Sequence, residues 1–350
     1  MRLYTYLLIL CICSEVSCTR HSSRYPRYQD FPEEKTRVVR SIQLDTALFR
    51  YPFKIAIKES VAIVMDLHNT DYFFHVFSFP GWKYQTSFGK RGEGPEEMLS
   101  ADCFRFTSPD SIWTLDSNRM RIIRWRIESH LNRVLPVEQV ELDKRLVRTL
   151  DFSPMEAGFL VSDYLGEYRY KRTDPQGVWN QSAYAIPTEK TYPDIALPAL
   201  AQAWRSFIDY SPHKELLVMA TQLGEVIEIY NLRDSSRIVR YGPKGAPEFQ
   251  IAQMDGIPTG IMGFSDVHIT DSLIYAVYHG RSFRDIEQAL RQGKRIEDGG
   301  RFIYVFDLQG NPVRKYTLDR AIYGIDVHEE SGTIFATDVN SDAPIVRFEL

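Results

Sequence analysis

Cysteine is scarce in this chain: there are four in 350 residues, and Cys11, Cys13 and Cys18 all lie at the extreme N-terminus. Once such a leader is removed too few remain for a disulfide framework, so stability must come from a buried core. Beyond the N-terminus, no apolar run approaches the 18 or so residues that a membrane-spanning helix needs. Positive charge is not in excess either. Against 46 Asp and Glu stand 42 Lys and Arg, a net charge of −4, which removes the broad basic field that nucleic-acid binding uses. The sequence also has no His-Glu-x-x-His, no Gly-Lys-Ser/Thr phosphate loop and no arguable Ser-His-Asp or Cys-His pair. No catalytic residue and no cofactor can be assigned from motifs.

What the chain has is a repeat. A short β-rich run recurs six times: Val61 to Asp66, Ser111 to Asp116, Gly158 to Asp163, Leu216 to Thr221, Leu273 to Tyr278 and Thr333 to Asp338. The end points are 50, 47, 58, 57 and 60 residues apart, a spacing that fits propeller blades with insertions. Upstream of the copies lie strand-like segments with polar turns, such as Asp151-Phe-Ser-Pro, Asp209-Tyr-Ser-Pro, Asp266-Val-His268 and Asp326-Val-His328. Downstream lie a third and, in most units, a fourth alternating segment. The pattern predicts an all-β, six-bladed β-propeller of four-stranded antiparallel blades. Because the chain stops just after the third strand of its last unit, Arg37 to Leu44 is expected to supply the missing outer strand and so close the ring.

The N-terminus reads as an export signal over residues 1–17. Arg2 precedes an apolar stretch from Leu3 to Ile12, and small Ser17 stands before Cys18. A small residue followed by cysteine is the end of a bacterial lipoprotein signal, which makes Cys18 the candidate lipid-attachment residue. Glu15 occupies a place where that signal usually carries an apolar residue, so ordinary cleavage stays an alternative. Residues 18–36 are polar and contain Pro26 and Pro32, as expected of a tether, which leaves 37–350 for the ring.

Two glycine-rich loops resemble each other, Phe88 to Glu97 and Tyr241 to Glu248. They are expected to be tight turns between blades rather than phosphate cradles, since no helix pattern follows either one. Within an insertion near 282–300, Ser282 can cap a helix that puts Phe283, Ile286 and Leu290 on one face. The ionisable candidates for a channel or ligand site are Asp266, His268, Asp326 and His328, with His279 and Arg281 near them in sequence. Two Asp and two His could hold a metal or an anion, although inner-strand polar groups more commonly serve as hydrogen-bonded structure, and no metal is assigned.

Taken together, the loop Gly89-Lys-Arg-Gly-Glu-Gly-Pro-Glu-Glu97, the stretch Phe302 to Val313, Leu318-Asp319, Ile325 to Glu329 and the closing Ile345 to Phe348 resemble the TolB-like six-bladed propeller lipoproteins common in Bacteroidetes. The resemblance spans roughly residues 40–350. It implies the propeller fold, a Gram-negative-type cell envelope and a periplasmic ring, and it carries over no catalytic residue. Two functions follow as expectations. The first is a non-enzymatic, monomeric binding module, held to the membrane by lipid, with a protein, peptide or glycan partner. The second is a metal-dependent, lactonase-like hydrolase or lyase with its site in the channel.

Overall fold

The repeated run is the second strand of every blade, and its surroundings explain its composition. In the computed structural model, which describes residues 24–350 apart from 46–48, 129, 131, 167, 190–196 and 253–254, all six residues of Val61–Asp66 are buried. A strand covered on both faces reads as a nearly continuous apolar run. Each blade lies between two others, and the inter-blade layers form the core. Val61, Ile63 and Phe74 of blade one meet Phe104, Ile123 and Trp125 of blade two, and comparable clusters fill the remaining five junctions.

The inner strands of blades one to six are Pro52–Lys58, Cys103–Ser108, Phe152–Met155, Ser206–Ser211, Phe264–Ile269 and Ile325–His328. Each pairs antiparallel with the strand that follows it in the chain, and pairing continues outward in chain order. Every inner strand contacts the next, and Ile325–His328 contacts Pro52–Lys58, so the ring closes.

The N-terminal segment closes the last blade, but over a shorter stretch than the sequence suggests. Within Arg37 to Leu44, strand Arg40–Ser41 pairs with Ile345–Glu349, with Arg40 opposite Arg347, and Ile42 N donates to Ile345 O at 2.8 Å. The preceding strand, Glu33–Arg37, instead joins blade five as a fifth strand, parallel to Pro312–Ile322. Further upstream, Arg27 bridges Tyr241 in blade four. The expected tether is therefore, from Arg24 on, a strap laid across the outer edges of blades four, five and six. Tyr28 and Phe31 are buried against Tyr304 and Phe306, and Arg314 holds Glu33 while Lys315 holds Glu34. The expected signal and Cys18 lie outside the described residues.

Three elaborations leave the ring from one face, where the inner strands begin. They are helix α1 (Leu197–Ala203), the hairpin Phe249–Ala252 with Asp255–Pro258, and helix α2 (Phe283–Arg291). Ser282 caps α2 as expected, accepting from Asp285 N at 3.0 Å. Its apolar stripe is only partly covered: Phe283 and Ile286 are half-buried, whereas Leu290 is exposed.

Candidate ligand site at the wide mouth of the channel

Side chains of the inner strands occupy the channel in layers. Nearest the face with the elaborations, Phe53, Phe207 and Tyr323 group together, with ring centroids 4.7 Å apart for Phe53 and Tyr323. Below them is a layer of charge. Asp151 Oδ2 accepts from Ile208 N at 3.2 Å, Asp209 Oδ2 from Ile269 N at 2.9 Å, Asp266 Oδ2 from Ile325 N at 2.9 Å, and Asp326 Oδ2 from Ile57 N at 3.0 Å. Each of these bonds runs from one blade to the inner strand of the next, so four of the six junctions carry the same carboxylate staple.

Blades one and two place cations in this layer. Lys54 Nζ lies 2.9 Å from Asp266 Oδ1, and Arg105 donates to Asp151 Oδ1 at 2.9 Å and to Ile208 O at 2.7 Å. Burial works against both cations, but Asp266 for Lys54 and Asp151 for Arg105 outweigh it, and both pKa values are raised. The carboxylates of Asp151 and Asp266 thus have both oxygens engaged by the ring itself.

Beyond this layer the channel opens at the other face into a cavity of about 1000 Å³ lined by residues of all six blades. Lys58, Thr107, Glu156, Tyr210, Asp271 and Glu330 are among the side chains around it. His268 and His328 stand here, but they do not assemble with both aspartates into one four-ligand site. His328 Nε2 is 2.8 Å from Asp326 Oδ1 and its ring packs against Phe79 and Phe335, while His268 lies 3.9 Å from Asp209 of the preceding blade. Among the described residues no group of three or more His, Cys, Asp or Glu is placed to hold a metal ion.

His279 and Arg281 are elsewhere. They line a separate cavity of about 410 Å³ between blades four and five on the opposite face, beside Glu225 and Tyr278. Burial, with a contribution from Arg281, lowers the pKa of His279. Cys103 is a buried free thiol whose pKa burial raises, in keeping with a core position.

Both glycine-rich loops are closed by a carboxylate of the chain, the first by its own Glu97 and the second by Glu225 from outside the loop. Glu97 Oε2 accepts from Gly94 N at 2.9 Å and fills the space over Gly92, where a Cβ would come within 2.1 Å of it. Glu225 Oε2 accepts from Lys244 N at 2.9 Å and lies against Gly242 in the same manner. An anion-shaped cradle is present in each case, and a glutamate of the chain occupies it.

Lys54, Arg105, Asp151 and Asp209 are the channel residues that sequence reasoning missed. Asp151 and Asp209 stand beside Ser-Pro and look like turn residues, yet each lies 12 residues before the end of its repeated run (Asp163 and Thr221), as Asp266 and Asp326 do before Tyr278 and Asp338.

The model of a family described as TolB-like 6-blade propeller-like matches residues 30–330. No curated protein matches. Among solved structures, a "Putative exported protein" of Bacteroides fragilis aligns at a TM-score of 0.57 and 10% identity, covering 90% of this chain and 98% of its own. A member of the DUF4221 family from Bacteroides vulgatus aligns at 0.54 and 8%, covering 91% and 97%. The WD40 repeats of RRP9 align at 0.52 and 8%, covering 89% and 96%. At such identities the likeness is one of fold. Among the described residues no helix is long and apolar enough to cross a membrane.

Proposed function

Since the chain belongs to the TolB-like six-blade propeller family, we propose that it is an exported, lipid-tethered binding module whose wide channel mouth receives a protein, peptide or glycan segment in the envelope. One observation carries the binding role. The cavity of about 1000 Å³ is ringed by exposed or half-buried polar groups from every blade, while the carboxylates of Asp151 and Asp266 beneath it are already committed to backbone N–H groups and buried cations. Such a mouth offers contact area and hydrogen bonds on a rigid frame. Export and tethering are supported by the leader before Cys18 and by the likeness to an exported Bacteroides protein.

Two measurements test the two halves separately. Cys18→Ser should move the protein from the membrane to the soluble fraction and end uptake of labelled fatty acid. If the wild type takes up no label, the tether is wrong and the mouth is untouched. For the mouth, a photo-crosslinking residue at Thr107 or Glu330 should yield discrete adducts in the native envelope, whereas one at Val178 on the outer surface should not. Equal adduct patterns from all three positions would refute a binding role for the mouth.

A further inference from the structure

The face opposite the wide mouth holds a second cavity, of about 210 Å³, at the narrow end of the channel. It is distinct from the proposed mouth site, and Lys54 borders both. One side of it is apolar and aromatic, formed by Phe53, Phe207 and Tyr323. An engineered cavity of about 150 Å³ takes benzene, so this one has room for a hydrophobic side chain with a short polar head.

The polar side holds two charged groups that lack an ion pair among the described residues. Three deeply set guanidinium groups elsewhere have carboxylates: Arg105 has Asp151, Arg121 has Asp116 and Arg169 has Glu228. Arg205, part-buried at the end of α1 and lining this cavity, forms no ion pair among the described residues, and its Nε has no hydrogen-bond partner. Asp102 lines the same cavity. Its carboxylate accepts from Ser100 Oγ at 2.9 Å and Ser117 N at 3.0 Å, but it forms no ion pair among the described residues, with Arg205 or with any other cation. The other two charged side chains of the lining, Lys54 and Asp151, are committed to Asp266 and Arg105.

A cation and an anion that form no ion pair among the described residues, beside an apolar surface, are what a small zwitterion with a hydrophobic side chain requires. A guanidinium fork suits a carboxylate, and a carboxylate suits an ammonium. A simple anion would leave Asp102 facing a like charge, and a simple cation would do the same to Arg205. We propose that this narrow-end cavity binds a free apolar or aromatic α-amino acid, its carboxylate on Arg205, its ammonium toward Asp102 and its side chain against Phe53 and Phe207. Tyr323 and Gln222 also line the cavity and bring a hydroxyl and an amide to its wall.

Calorimetric titration of the purified protein with L-leucine and L-phenylalanine, and with phenylacetate and phenethylamine as analogues lacking one charge each, tests this. One of the amino acids should bind saturably, and both single-charge analogues should bind at least tenfold more weakly. Arg205→Met should abolish binding. Asp102→Asn should weaken the amino acid about tenfold and bring phenylacetate level with phenylalanine. Both variants should keep the wild-type melting temperature to within a few degrees, and a variant that does not is replaced by Arg205→Lys or Asp102→Ser. Absence of saturable binding by either amino acid at millimolar concentration would overturn the proposal, as would binding that Arg205→Met leaves intact or a preference for either single-charge analogue.

Discussion

Replacing Asp266 by alanine should damage this ring more than removing Asp266 and Lys54 together. Asp266 is buried, with one oxygen 2.9 Å from Lys54 Nζ and the other accepting from Ile325 N at 2.9 Å. The Asp266→Ala change leaves the Lys54 ammonium, only 12% exposed, without its counter-charge, a defect that costs about 3–5 kcal/mol. It also orphans the Ile325 N–H. In the double variant Lys54→Met, Asp266→Leu the stranded charge is gone and apolar side chains refill the space. Only the lost hydrogen bond should remain, at about 1–3 kcal/mol. The single change should therefore be worse than the double by about 2 kcal/mol. Urea unfolding at neutral pH, extrapolated linearly to water, measures both. Because the pKa of Lys54 is raised in the fold, its contribution is present in full below its ordinary value of about 10.4 and is lost only as pH rises through the folded value. In Asp266→Ala the partner that raises it is gone and burial lowers the Lys54 pKa, so the stranded charge is relieved as pH rises and the difference between the two variants should be no larger at pH 9 than at pH 6. If Asp266→Ala proves no worse than the double variant, the ion pair is not the clamp that its geometry indicates.

Further tests address other parts of the ring. Burial lowers the pKa of His75 from 6.5 to about 4, so the unfolded chain takes up the proton first; stability should fall as pH drops from about 6.5 to 4, by up to about 3 kcal/mol, and His75→Leu should flatten that part of a urea-midpoint profile. Tyr28→Ala with Phe31→Ala should undo the strap, costing roughly 3 kcal/mol or more, and should make the N-terminal segment cleavable by trypsin under native conditions. Gly92→Ala pushes a Cβ into the Glu97 carboxylate at a φ of 154°, and should lower the melting temperature by several degrees, with partial recovery when Glu97 is also changed to alanine.

The blades were legible because burial on both faces writes itself into composition: Val-Ala-Ile-Val-Met-Asp and Leu-Leu-Val-Met-Ala-Thr can be recognised without an alignment. The terminal aspartates of these runs could be seen but not understood. Asp66 and Asp116 reach back to backbone N–H groups of the incoming connection, Arg50 and Tyr51 in one case, Leu99 and Ser100 in the other, contacts that no local pattern reveals. The strap looked like a linker because its anchors are two aromatics among prolines and charges. Its strand register depends on Arg314 and Lys315, far along the chain. Channel chemistry was half legible. Asp266 and Asp326 stood out beside histidines, whereas Lys54 and Arg105 sit among apolar residues where a cation looks like the exposed half of an alternation. The narrow-end cavity draws its lining from several blades, so its residues become neighbours only once the ring has closed.

The route of the N-terminal strap also has a kinetic consequence. Glu33 meets Arg314 across 281 residues of sequence, and Arg40 pairs with Arg347 at almost the full length of the ring. The first-made part of the chain must therefore wait for the last-made part before either can settle, and contacts this remote carry a large closure entropy that slows folding. Until blades five and six exist, Tyr28 and Phe31 have no surface to cover, and the outer edge of Pro312–Ile322 stays unpaired until the strap arrives. A nascent or C-terminally shortened chain would expose at once the Tyr28 and Phe31 rings and a naked strand edge, the combination that chaperones and proteases are built to detect. Completion of the ring thus works as an inspection step, passed only by a chain that is whole.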